Sequence, residues 1–339
     1  MREIRYMDAI NEAMKEEMAR DETVYLIGED VSQDIWGTSC DLYDMFGKER
    51  VRDTAISEAA ILGSAVGAAI AGFRPVVNTM FADFAVCGAD ELLHKAAKWR
   101  FTHGGKVTIP MVVRAPAGGY SKLGPEHSQC PESLYMRTPG LKIAMPATPY
   151  DAKGLLKSAI RDNNPVVYLE HKNLMGHTGP VPEEDYLVPF GVAEVRREGT
   201  DVSVVATGFM VSLMMEVAEV LQQDYVVSAE IIDPRTLEPL DLDTIISSVK
   251  KTKRLVIVDE ETSRCGPAAE IGMLVIENAF DYLDAPPKRV SAANYPIPGG
   301  YLEQFVLPQP QSMADAIAEV IGKEDGLDLQ GKVVAKGAM

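Results

Sequence analysis

The sequence predicts an α/β protein of two domains, each a mostly parallel sheet flanked by helices. Three observations predict it. Short apolar runs alternate with helical segments along nearly the whole chain, as parallel strands joined by helical crossovers require. The alternation breaks once, over 176–197, where three prolines and the acidic run Glu183-Glu184-Asp185 interrupt it. The chain has 339 residues, 46% of them hydrophobic, enough to fill two cores. The expected division is a first domain over 1–175, a linker over 176–197, a second domain over 198–322 and a tail over 323–339.

In order, Met7, Ile10, Met14 and Met18 fall on one helical face, a core stripe. Val24–Ile27 is a buried strand, and Gly28-Glu29-Asp30 after it is a loop of the kind in which α/β proteins place active-site residues. A short helix is expected over Asp41–Gly47 and a long one over Asp83–Phe101, closed by Gly104-Gly105. Pro110–Ala115 is a strand. Ala117–Glu126, with three glycines, is expected as a mobile surface loop. A helix over Ser128–Arg137, a strand over Leu141–Met145, a helix over Pro149–Arg161 and a strand over Val166–Glu170 complete the first domain. The second begins at Asp201, with strands at Val202–Thr207, Val226–Ile232, Leu255–Asp259 and near Arg289–Ala292. Its helices are expected at Val211–Gln222, Leu242–Lys250, Ala268–Phe280 and Ser312–Ile321. From Gly322 on the period fades, and the tail is expected to fray.

Composition narrows the function classes. A net charge of −17 argues against a nucleic-acid groove, which needs clustered Lys and Arg. Met1-Arg2-Glu3-Ile4 runs straight into the first helix, so no signal peptide is expected. The apolar run after Glu58 is too short and glycine-rich for a membrane span. Cys40, Cys87, Cys130 and Cys265 form no CxxC pair, which fits free thiols in a reducing cytoplasm.

Arg52 to Asp83 organises the rest. Ser57 is a good N-cap, and Glu58 opens a helix otherwise built of small apolar residues up to Gly72. Arg74-Pro75 ends that helix and starts a buried strand. One account of Glu58 is an acid that favours a helix start through the macrodipole. The other is a buried carboxylate that hydrogen-bonds a ligand.

Ile56-Ser57-Glu58 followed by Gly63, Gly67 and Gly72, then Arg74-Pro75-Val76 and Met80-Phe81-Ala82-Asp83-Phe84, resembles the β subunit of thiamine diphosphate-dependent 2-oxo acid and acetoin dehydrogenases. Further marks are Gly28–Asp30, His127–Gln129, Pro139–Lys142, Ser158–Val167 and Asp233–Asp241. The resemblance runs to about Ile321 and implies a transketolase-like fold. It implies that Glu58 touches the cofactor's aminopyrimidine, that Met80 and Phe84 hold that ring, and that His127 serves transfer to a lipoyl disulfide. Core packing explains Met80 or Phe84 taken singly, and a lone His is usually structural or solvated. The resemblance also implies a potassium site on Ala159, Ile160, Asp162 and Asn164, which a capped helix end before Pro165 explains as well. His94, His103, His171 and His177 match no pattern.

The diphosphate end of such a site is absent from the sequence: there is no GDG with a following Asn, no P-loop, and no GxGxxG after a strand. The resemblance therefore implies an α subunit that supplies the other half and its Mg²⁺. The assembly would be an α₂β₂ heterotetramer working with a lipoyl acyltransferase core. Pyruvate, a branched-chain 2-oxo acid and acetoin all remain open as substrate. Cys87 stands where relatives often carry an amide, and the Lys122 to Glu126 loop is unusual; both bear on that choice. Two rivals are the C-terminal half of a split transketolase and a non-catalytic subunit that docks the acyltransferase. No Arg/His cluster suited to sugar phosphates appears in Ala117–His127, which weighs against the first.

Overall fold

The computed structural model describes residues 1–335. The chain divides into two units, one of Met1–Ala117 with Leu134–Phe190, the other of Gly118–Ser133 with the chain from Gly191 on.

The first unit contains β1 (Arg2–Arg5), α1 (Tyr6–Arg20), β2 (Val24–Gly28), α2 (Leu42–Phe46), β3 (Val51–Asp53), α3 (Glu58–Ile70), β4 (Arg74–Asn78), α4 (Trp99–Thr102) and β5 (Val112–Ala117). It continues with α5 (Glu132–Met136), which straddles the division, then β6 (Lys142–Ala144), α6 (Pro149–Arg161), β7 (Val166–His171) and β8 (Thr178–Val181). Its central strands pair in the order β6-β7-β5-β4-β2-β3, all parallel. Every residue of β2, β5 and β7 is buried, as expected of strands covered on both faces. Ile10, Met14 and Met18 are buried as the stripe on α1 requires. Thr148 caps α6 by accepting from the Asp151 N–H, with Pro149 at the first helical position. The chain adds β3 on one side of β2 and β4 on the other, so the topological switch lies between β2 and β4.

Three local expectations are corrected. A strand, β1, precedes α1 and pairs antiparallel with β8, with Arg2 opposite Val181, so part of 176–197 is sheet. The long helix over Asp83–Phe101 is a 3₁₀ turn at Phe84–Gly88, a π turn at Asp90–Ala96, and α4. The π turn carries Lys95 back to Asp90, five residues earlier, at 2.8 Å, as well as to Glu91 at 2.5 Å. The helix expected from Ser128 starts only at Glu132, because Pro131 has no N–H to continue a turn begun before it.

The second unit contains β9 (Glu194–Arg197), β10 (Val202–Ala206), α7 (Phe209–Tyr225), β11 (Ala229–Asp233), β12 (Thr236–Glu238), α8 (Leu242–Thr252), β13 (Leu255–Thr262), α9 (Pro267–Ala279), β14 (Lys288–Ala292) and α10 (Pro310–Ile321). Five of its strands pair in the order β14-β13-β10-β11-β9, with β9 the antiparallel edge. Val205, Ile232, Ile257, Ile271 and Val275 form a core between this sheet and α8 and α9. Here the switch lies between β10 and β13.

Two further expectations change in this unit. The tail packs: Leu327, Leu329 and Val333 are buried, and Gln311 bonds the backbone of both Leu327 and Leu329. Residues 336–339 lie outside the described residues. The loop expected on the surface is partly inside: Ala117 to Ser121 and Gly124 are buried, while Lys122, Leu123, Pro125 and Glu126 are exposed.

Candidate active site

In an open parallel sheet, ligands bind beyond the carboxyl ends of the strands at the switch point. The residues singled out in the first half of the sequence gather there. Gly28-Glu29-Asp30 follows β2, Glu58 opens α3 after β3, and Met80 and Phe84 follow β4. Gly28 lies against β4: a Cβ on it would stand 2.4 Å from the Asn78 carbonyl oxygen.

Glu58 is half-buried, more open than a carboxylate sealed in a core, and Ser57 makes no side-chain cap bond. Burial, then the charge of Glu58, then that of Asp30 push the Glu29 carboxyl above its usual range. The acids that follow two neighbouring strands, Glu29 after β2 and Glu58 after β3, are therefore near enough for the charge of Glu58 to act on Glu29. α3 packs against the Phe84–Gly88 turn. A Cβ on Gly88 would stand 2.3 Å from Leu62 Cδ1 and 3.1 Å from the Glu58 carbonyl oxygen, so the turn and the mouth of α3 touch.

The turn after β4 is held firmly. Asn78 Oδ1 accepts from the Met80 N–H at 2.8 Å, and the Phe81 and Ala82 N–H groups donate to Thr79 and Pro116 carbonyls. Met80 sits at φ +61, a conformation rare for a non-glycine residue. Such strain persists where surrounding bonds enforce it and is concentrated at functional sites. Trp36 donates to the Met80 carbonyl at 3.1 Å and lies edge-on to Phe81, which is edge-on to Phe84. A carboxylate beside an apolar rim of thioether and aromatic groups suits a flat heterocycle that is apolar on its faces and polar at one edge. The donor set thus fits the pyrimidine end of thiamine diphosphate. Cys87 is exposed on the same turn.

At the cation loop, Arg74 Nη1 donates to the Ile160 and Asp162 carbonyls at 2.9 and 2.8 Å. The Ala159 carbonyl accepts from the Asp162 N–H. Burial raises the Asp162 carboxyl, but the Lys142 ammonium and two Asn164 N–H groups outweigh it and hold it below the usual range. Among the described residues no three His, Cys, Asp or Glu side chains gather as a metal site, so a cation there would rest on carbonyl oxygens.

His127 is half-buried and belongs to the second unit, in the segment Gly118–Ser133. Carboxylates tie that segment down. Glu260 accepts from the Gly119 N–H at 2.8 Å, Glu303 from the Lys122 N–H at 3.0 Å, and Glu261 from the Ser133 N–H at 2.8 Å. Tyr120 donates to the Pro308 carbonyl at 2.6 Å and packs edge-on against Phe209. Sequence reasoning missed these acids. Three in a row ending an apolar strand, Asp259-Glu260-Glu261, were the available signal.

The family model described as "Transketolase, pyrimidine binding domain" matches residues 2–177, and "Transketolase, C-terminal domain" matches residues 191–313. The acetoin:2,6-dichlorophenolindophenol oxidoreductase subunit beta of Bacillus subtilis is 42% identical, over 95% of this chain and 98% of the relative. The pyruvate dehydrogenase E1 component subunit beta of Rickettsia felis is 43% identical, over 94% and 98%. The 2-oxoisovalerate dehydrogenase subunit beta of Bacillus subtilis is 41% identical, over 93% and 98%. Among solved structures, a split-gene transketolase in an inactive β4 tetramer aligns with TM-score 0.77 at 21% identity, over 94% of this chain and 98% of that one, a likeness of fold. The chain belongs to the transketolase-like, thiamine diphosphate-dependent family, as a β subunit of the 2-oxo acid and acetoin dehydrogenase group.

Proposed function

We propose that this chain supplies the pyrimidine half of a thiamine diphosphate site in a dehydrogenase acting on pyruvate, a branched-chain 2-oxo acid or acetoin. The observation that carries it is the gathering of Glu29, Glu58, Met80 and Phe84 at the switch point of the first unit, in a chain with no diphosphate-binding motif. An α subunit in an α₂β₂ assembly supplies that motif and Mg²⁺, and the acyl group passes to lipoyl-lysine on an acyltransferase core. When bound, the cofactor supplies the nucleophilic carbon and the electron sink needed to break a bond beside a carbonyl.

The residues of this chain have separate tasks. Glu58 would meet the pyrimidine ring nitrogen with its carboxyl group, at the mouth of α3. Met80 and Phe84 fix the ring and exclude water from it. The Ala159, Ile160, Asp162 and Asn164 carbonyls are the ligands we propose for potassium, two of them already accepting from the Arg74 guanidinium. The four cysteines are free, consistent with a cytoplasmic protein, and no described helix is long and apolar enough to cross a membrane.

His127 is assigned to the transfer step. In the reconstituted assembly, His127→Ala is expected to lower lipoyl-dependent turnover by roughly 10²-fold or more, on the scale of acid–base groups. Activity with an artificial electron acceptor should fall far less. Equal losses in both assays would move His127 to the cofactor step or to folding. Full retention of both activities would favour a role for this segment in assembly alone.

A further inference from the structure

We infer that Glu132 and Glu261 share one proton, and that this shared proton latches the His127 segment to the strand end of the second unit. The inference rests on the assignment of His127 to acyl transfer for its functional consequence, and on geometry for the latch itself.

The carboxyl ends of β10 and β13 flank the switch point of the second sheet, where an open α/β sheet ordinarily receives a ligand. Here the acids that end β13 receive the chain's own segment. Glu260 takes its beginning at the Gly119 N–H, and Glu261 takes its end at both the N–H and the hydroxyl of Ser133. His127 lies between these two anchors. Glu132, next to Ser133, is 2% exposed, and its Oε2 meets no N–H or O–H donor. Its side chain lies within hydrogen-bonding reach of Glu261. Glu132 is sealed and Glu261 half-buried, and two carboxylates this close resist both being charged; one proton between them turns repulsion into a hydrogen bond.

The surroundings favour that proton. Burial, then Glu261, with Asp259 and Glu260 behind it, hold the Glu132 carboxyl well above its ordinary range. Burial likewise raises Glu261 against the pull of Ser133. Asp259 is pushed up to about 7 by burial, against the pull of Ser291 and Arg289 on β14 and of the Ala268 N–H at the start of α9. Burial, then Glu260, Cys130 and Glu303, raise the Tyr120 phenol of the same segment, which also carries the buried Cys130 thiol, His127, Lys122 and Glu126. A docked segment therefore binds a proton that an undocked one releases above the ordinary carboxyl range. Docking is complete at low pH and weakens as pH rises through the raised value.

The test is hydrogen exchange of 118–133 in the full chain assembled with its α subunit, between about pH 6 and 9, alongside E132Q and E261Q. Either glutamine replaces the shared proton by an amide N–H that no pH in this range removes. Dividing the wild-type rate by the variant rate at each pH cancels the intrinsic pH dependence of exchange. The expected ratio rises by up to about tenfold per pH unit between the ordinary carboxyl range and the raised value, and levels off once the docked segment too has lost the proton. A ratio that stays flat against both variants overturns the latch, whatever happens to activity. If the ratio rises but lipoyl transfer shows no matching alkaline loss that E132Q or E261Q relieves, the latch stands and the assignment of His127 falls. Using two variants keeps the comparison decisive where one fails to fold.

Discussion

Glu58→Gln is expected to slow exchange of the thiazolium proton of bound cofactor by roughly 10²–10⁴-fold in the reconstituted assembly. The substitution preserves size and hydrogen-bonding capacity but removes the acid. Its effect on stability should stay near 0.3–1 kcal/mol, the worth of a carboxylate at a helix start. The separation of the two effects decides between the accounts of Glu58 open in the sequence. A helix-start acid gives a small loss of stability and unchanged exchange. The half-buried position of Glu58 at the mouth of α3, with its charge acting on Glu29, motivates the larger effect. Deuterium exchange and melting temperature are measured on the same preparation. An unchanged exchange rate in a folded, cofactor-loaded variant removes Glu58 from the mechanism.

The second large effect is on folding. Arg114 on β5 and Glu170 on β7 are both 0% exposed and form a two-point ion pair at 2.5 and 2.9 Å. The Arg114 carbonyl accepts from the Thr79 N–H, so the strand that carries this pair also bonds the turn that holds Met80. Glu170→Leu leaves a guanidinium buried without its counter-charge, at an expected cost of about 3–5 kcal/mol. Replacing both partners, Arg114→Met with Glu170→Leu, should recover most of that loss, because no charge then needs a partner. Denaturant midpoints of the full chain measure both. A single variant within about 1 kcal/mol of wild type would show that the buried pair contributes little.

The fold was legible wherever local chemistry and packing agreed. α6 begins and ends where Thr148, Pro149 and Arg161 place it, and α8 begins where Asp241 caps it. The family motifs located Glu58, Met80 and Phe84, which the structure gathers at one switch point. Sequence fell short where a distant partner decides conformation. The helix expected over Asp83–Phe101 yields to Gly88 pressed on Leu62 and to the five-residue reach of Lys95. Ala117–Glu126 has the composition of a surface loop, yet Glu260, Glu303 and the Pro308 carbonyl fix it from far along the chain. The tail lacks a helical period because its few apolar residues, Leu327, Leu329 and Val333, pack singly. Glu132 carries no signal in the sequence, since its character comes from burial beside Glu261.

The central claim is that this chain holds one half of a shared cofactor site. Calorimetric titration of thiamine diphosphate with Mg²⁺ tests it most directly, on the chain alone, on the α subunit alone and on the two together. The account predicts no tight, Mg²⁺-dependent binding to this chain alone, and tight binding with turnover only in the mixture. Sub-micromolar binding by this chain without a partner, a free energy beyond about −8 kcal/mol, would contradict it.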